Sequence, residues 1–177
     1  MNYATLVQAI KDYTENTETT FVANIDNFIG QAERRIILDI DLPVFHKSVT
    51  GTMTTSNSYL GKPTDFLTSF SLAIISTGNV YTYLMPKDVS FMREVSPDTD
   101  DTGEPKYYGH FSDTSFIISP IPNANYTTEL HYKYAPAQIS SSTTTTWLGD
   151  NADTALLYGC LVEAYTFMKG ETELIQL

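Results

Sequence analysis

The 177-residue chain has one cysteine, one tryptophan and only ten lysines and arginines. Each shortage excludes something. Cys160 has no second cysteine to pair with, so an internal disulfide framework is impossible. A basic, apolar leader is missing at the N-terminus, and no apolar run approaches the about 20 residues of a membrane span. These features predict a soluble chain made in a reducing cytoplasm, with no membrane partner. Ten cations against 21 carboxylates leave a net charge of −11 and a pI near 4.4. Tight nucleic-acid binding neutralises phosphates with Lys and Arg, and no basic stripe is present to do so. An acidic surface beside DNA repels it weakly instead of gripping it.

Motifs that carry chemistry are equally scarce. His46, His110 and His131 lack helical i, i+4 spacing and cysteine partners, which argues against a zinc site. Cys160 has no basic neighbour and reads as a buried, inert thiol. Gly61-Lys62 is followed by Pro63 and lacks the upstream glycine of a phosphate-cradling loop. Asp98 to Gly103 resembles the start of a calcium loop, but Gly109 stands where the bidentate carboxylate is needed, so a solvated acidic turn is the plainer reading. No nucleophile elbow occurs, and no spacing singles out a glycosidase carboxylate pair. Asn125-Tyr126-Thr127 matches a glycosylation sequon without a secretion signal to support its use. No catalytic residue, cofactor or metal is expected.

What is abundant is apolar and aromatic. Hydrophobic residues make up 42% and charged residues 18%, a globular balance, and 12 Tyr with 9 Phe suit sheet surfaces and contacts between subunits. Tyr3, Leu6, Val7, Ile10 and Tyr13 recur at helical spacing over residues 2–15. The polar run Thr14 to Thr17 breaks that pattern. A longer helix then starts near Thr19 or Thr20, either of which can cap it. Its stripe is Phe21, Ile25, Phe28, Ile29, Ala32, Ile36 and Ile40, with Glu33, Arg34 and Arg35 off it, and it ends before Pro43. The two helices are expected to form an antiparallel hairpin.

From about residue 46 to 147 the period falls to two. In the segment from Tyr126 to Tyr134, the residues Tyr126, Thr128, Leu130, Tyr132 and Tyr134 share one face. Val49–Thr55, Phe66–Ser76, Asn79–Met85 and Ser115–Ser119 are further strand candidates, with a possible helical turn at Lys87–Arg93. Turn signals at Gly61 to Pro63, Thr77 to Asn79, Pro97 to Pro105 and Pro120 to Asn123 separate them. This punctuation predicts an antiparallel sandwich or barrel. A third segment, Ala152 to Met168, returns to helix with Asp150 or Asn151 as cap and is apolar on nearly every face. Such a helix needs cover on several sides, from the chain itself or a neighbouring subunit. The terminal run Glu173 to Leu177 carries no helix stop, so it either continues into further chain or docks.

The expected architecture is therefore α+β, a helical bundle with an inserted antiparallel β-sandwich or barrel-like domain. The bundle comprises 1–45 plus 148–177, and the insertion 46–147. Leu156, Leu157, Leu161, Tyr165, Met168, Tyr126, Tyr132 and Tyr134 are the candidates for packing against other subunits or partners.

This layout resembles the head-to-tail adaptor (connector) family of short-tailed, podovirus-like phages. Phe28-Ile29 with Ala32-Glu33 and Arg35-Ile36 looks like that family's second helix. Pro63, Asp65, Phe66 and Leu67, followed by Ser71-Leu72, resemble its first β segment. Gly103, Pro105 and Tyr107-Tyr108, then Ile118, Pro120 and Pro122, then Tyr126 to Tyr134 and Pro136, form the most specific stretch. Trp147-Leu148, Leu156 to Tyr158 and Glu163-Ala164 complete it. The resemblance implies a virion protein at the head–tail junction without enzymatic activity. It also implies a ring, typically of twelve copies, bound between the portal protein and the tail nozzle protein. Genomic DNA would pass through the ring without sequence-specific binding. Family members usually carry a longer C-terminal extension. The competing reading is a carbohydrate- or receptor-binding β module of a phage tail, with the tyrosines and Trp147 as a platform; a hydrolase has only the carboxylates in its favour.

Overall fold

The computed structural model describes residues 1–76, 78–98 and 100–168. The terminal run Glu173 to Leu177 lies outside the described residues. Contacts divide the chain into two units, Met1–Leu42 with Pro136–Leu177, and Pro43–Ala135. The fold is α+β.

The helical unit begins with α1, Tyr3–Thr14. Asn2 caps it: its side chain accepts from Thr5 N at 2.9 Å, and the Thr5 hydroxyl accepts from Asn2 N at 3.0 Å. These reciprocal bonds satisfy amides that a helix start leaves open. The helix ends at Glu15 in a left-handed conformation, φ 47°. The next helix, α2, spans Thr19–Asp39, and its N-cap is Glu18 without a side-chain bond, so neither Thr19 nor Thr20 serves as the cap. Tyr3 Oη donates to Asp26 Oδ1 at 2.7 Å, tying the start of α1 to the middle of α2.

The third segment starts one turn earlier than its apolar pattern suggests. A short helix α4, Trp147–Asn151, is capped by Thr146, and α5, Asp153–Phe167, follows from Ala152. Asp150 and Asn151 therefore sit inside α4 and do not cap α5. The helices α1 and α2 both pack on α5, which is the central element of this unit. Leu156, Leu157, Cys160, Leu161 and Ala164 are buried there, against Phe21, Ile25, Phe28, Ile29 and Ala32. Gly159 makes the approach of α2 possible, since a Cβ there would lie 3.2 Å from the Ala32 Cβ. Each fully buried Leu, Ile or Phe contributes about 1.5–3 kcal/mol.

The segment from Pro136 to Thr146 belongs with these helices by its contacts. Ile139 is fully buried, Gln138 Nε2 donates to Asp26 O at 2.9 Å, and Tyr3 N donates to Thr144 O at 2.9 Å. A thread rich in Ser and Thr reads as part of a sheet by composition; its hydrogen bonds to the rest of the unit go to α1 and α2 instead.

The β unit opens with a 3₁₀ turn at Pro43–Phe45, followed by β1 (His46–Met53), β2 (Tyr59–Gly61), β3 (Phe66–Ile75) and β4 (Tyr81–Pro86). A two-turn helix α3 (Val89–Val95) precedes β5 (Thr102–Gly103), β6 (Tyr107–His110), β7 (Ser115–Ser119), β8 (Ile121–Pro122) and β9 (Tyr126–Tyr134). Seven strands form one sheet in the order β1-β9-β3-β4-β6-β7-β2, and β5 pairs with β8 in a second. All pairs are antiparallel except β4 with β6 and β5 with β8. The sheet curls until its end strands β1 and β2 approach each other, a barrel-like closure. Every strand of the large sheet feeds one core, from Met53, Leu60, Leu72 and Ile74 to Leu84, Tyr108, Phe116, Ile118, Leu130 and Tyr132.

Candidate assembly interface

Four of the eight residues expected at subunit contacts are used up inside the chain. Leu156, Leu157 and Leu161 are buried between α5 and its neighbours, and Tyr132 is buried in the β core with its hydroxyl donating to Asp65 Oδ1 at 2.8 Å. The other four are half-buried. Tyr165 Oη donates to Tyr13 O at 3.2 Å, and Met168 Sδ accepts from Asn16 Nδ2. Tyr126 Oη donates to Asn123 Oδ1 at 2.6 Å, and the Tyr134 ring lies 4.2 Å from Lys47 Nζ. The apolar helix α5 thus finds most of its cover in α1, α2 and α4, while Ala155, Tyr158 and Phe167 stay exposed.

The side chains that do face solvent lie elsewhere. On β4, Tyr81, Tyr83 and Met85 are 45%, 60% and 61% exposed and share one face, while the alternate Leu84 is buried. The period-two pattern of this segment is visible in sequence. Which face points outward depends on the pairing Leu72↔Leu84 and Leu72↔Leu130, which puts the leucines inside. On β1 every residue except Met53 is exposed. Tyr59 and Phe111 form another exposed aromatic pair, with ring centroids 4.9 Å apart.

Lys47, Asp65 and Tyr132 form a polar knot on the β unit. Lys47 Nζ lies 2.8 Å from Asp65 Oδ2. The ammonium, then the tyrosine hydroxyl, hold the Asp65 carboxyl below its usual range, and Asp65 in return raises Lys47. This matches the rule that an opposite charge favours the ionised form.

In the helical unit Glu33 departs from the expectation that it lies off the apolar stripe: it is only 4% exposed. Both carboxylate oxygens accept from Ile139 N, at 3.1 and 3.3 Å. Burial pushes its pKa up to about 7, and the Ile139 and Thr146 hydrogen bonds pull the other way. Arg35 reaches Glu163 Oε1 at 2.6 Å. Sequence spacing offers no sign of Glu33's burial, because what covers it is a segment more than 100 positions away.

The reactive groups are separated. Cys160 is buried, and desolvation pushes its thiol up to about 12, where it is not a nucleophile at neutral pH. His131 Nε2 sits 2.6 Å from Glu129 Oε1, and the His46 ring packs at a tilt against Phe70, with centroids 4.2 Å apart. Burial, then Lys62, lowers His110, whose ring contacts Ser69 Oγ at 3.4 Å. Among the described residues no group of three His, Cys, Asp or Glu could hold a metal ion. In the acidic turn, Asp98 Oδ1 accepts from Asp100 N at 2.9 Å, and the chain then enters β5 instead of continuing a calcium loop. Trp147 belongs to α4 of the helical unit. No described helix is long and apolar enough to cross a membrane.

No curated protein matches the sequence significantly. A family model, that of the SU10 adaptor protein, matches residues 1–176. That match takes in both units, the helices and the strands they flank, and it agrees with the resemblance to phage head-to-tail adaptors. With so much of its length accounted for by one family model, the chain belongs to the SU10 adaptor protein family.

Proposed function

We propose that this chain is a non-catalytic structural subunit of a tailed-phage virion, assembling as a ring between the portal and the tail nozzle. The observation that carries the proposal is the family match over residues 1–176. The ring has twelve copies on this reading, and genomic DNA passes through it without sequence-specific contact. The electrostatics support that passage. With 21 carboxylates against ten cations, the subunit offers DNA a wall that repels weakly and leaves it free to slide. The barrel-like β unit and its exposed tyrosines offer stiff contact area for neighbours. Membership of the ring needs no reactive side chain, in keeping with a buried thiol and scattered histidines.

Electron microscopy of virions, or of the purified chain mixed with portal assemblies, tests the proposal. A ring at the portal vertex with this chain's density is the expected result. Portal vertices that carry no such ring would refute it.

A further inference from the structure

Among the described residues, β1 and β4 each have a stretch of strand edge without a backbone partner. Over Lys47–Met53, β1 pairs with β9 in an unbroken register, and its other edge forms no backbone bond among the described residues. Its neighbour in the curled sheet, the three-residue β2, approaches without pairing and leaves an open cleft of about 340 Å³ lined by Val49, Gly51, Leu60 and Lys62. The second free edge is on β4. Tyr81–Leu84 pair with β3 on one side only, because β6 joins β4 at Met85 and Pro86. Unpaired strand edges are templates for another chain, and proteins usually blunt them with charge, proline or a bulge. Here none of those devices is present from Ser48 to Met53 or from Tyr81 to Leu84.

We propose that the β4 edge of one copy pairs antiparallel with the β1 edge of the next, continuing the sheet from subunit to subunit. The inference rests on the ring reading above and supplies its lateral contact. Four features select a second copy as the occupant. The strands β1, β9, β3 and β4 are successively antiparallel, so β4 of a neighbour placed beside β1 is antiparallel as well. With Tyr83 opposite Thr50, the outward residues Tyr81 and Tyr83 meet Thr52 and Thr50, while Leu84 joins the inward Val49, which is 39% exposed in the single chain. Neither edge carries a carboxylate, although the chain has 21, so the seam sets no carboxylate directly against another, with Glu129 one strand in from Thr50. Finally, the two edges differ. Joining unlike patches is head-to-tail, the geometry that closes into rings.

The test uses variants of the full chain that each add one cysteine, besides the buried Cys160, at an outward position, Ser48→Cys, Thr50→Cys or Thr52→Cys in one set and Tyr81→Cys or Tyr83→Cys in the other. Members of the two sets are mixed with portal assemblies under a mild oxidant, and ring formation is scored separately by electron microscopy. Disulfide-linked dimers between the sets, and not within either, are expected. Dimers within the Ser48, Thr50 and Thr52 set would mean that β1 pairs with its own copy, and would overturn the proposal. Rings without any cross-link overturn it and leave the adaptor reading standing. Neither rings nor cross-links overturn both. Hydrogen exchange of the unmodified chain is a second measurement: assembly should protect the edge-facing amides of Tyr81–Leu84 and Lys47–Met53 together, and rings that leave those amides exchanging freely would contradict the pairing.

Discussion

By sequence, the helical unit holds four Lys and Arg against twelve Asp and Glu, a net −8, whereas the β unit holds six against nine, a net −3. The helical unit packs its apolar stripes around a central helix, although Leu38, Tyr158 and Phe167 stay exposed. The less charged β unit exposes Tyr81, Tyr83 and Met85 and, among the described residues, unpaired strand edge on β1 and β4. Like charge opposes bringing copies together, and unpaired backbone favours it. On the ring reading proposed above, the contrast favours the β unit for lateral contact.

The largest effect should come from breaking the helical unit alone. Leu157→Asp or Leu161→Asp places an unpaired carboxylate in a filled core and should cost several kcal/mol, enough to unfold a marginal unit. Far-UV circular dichroism should lose helical signal while the β unit resists proteolysis; native helicity in both variants would contradict the packing of α5. Milder truncation, Leu161→Ala, should cost about 2–5 kcal/mol.

Next in size is the polar knot of the β unit. Asp65→Ala removes the acceptor for Lys47 Nζ and leaves the buried Tyr132 with an unsatisfied hydroxyl, at a cost of about 1–3 kcal/mol. Denaturant unfolding should show a lowered midpoint confined to the β transition. An unchanged midpoint would mean that water replaces the carboxylate without loss.

A pH titration sharpens the comparison further, because the helical unit has a buried carboxyl, Glu33, raised to about 7. A carboxyl whose folded pKa lies above its unfolded value favours folding while protonated. That contribution is complete below pH 4.5 and is lost as pH rises through about 7. Between pH 5 and pH 8 the helical unit should therefore lose stability, and Glu33→Gln should flatten the slope. An equal slope in the variant would assign the dependence to other groups.

The smallest stability effect belongs to Tyr83→Ser. Its ring is exposed in the single chain, so stability should change by less than about 0.5 kcal/mol. Ring formation on portal assemblies should nevertheless weaken, which separates assembly from folding.

Local pattern was enough to recognise α1, α2 and α5, because their apolar residues repeat every three or four positions. It was enough for β3, β4, β7 and β9, strands of five residues or more bounded by turn signals. It missed β2, β5, β6 and β8, strands of two to four residues that exist only because a distant strand pairs with them. The parallel contact of β4 with β6 also leaves no trace in alternation. As for contact residues, exposure depends on what covers a side chain. Leu156 and Tyr132 look as available in sequence as Tyr83 does, and only packing tells them apart.

Composition by itself determined that this is an acidic chain without a disulfide framework, and residue order determined its helix–sheet–helix plan. Both depend on local chemistry: charge, thiol count, and the spacing of apolar side chains along one segment. Tertiary structure decided that Glu33 is buried under Ile139, that α5 is covered by its own chain, and that, among the described residues, β1 and β4 each keep unpaired edge. Those outcomes join residues tens to more than a hundred positions apart, where no periodicity within a segment can carry the information.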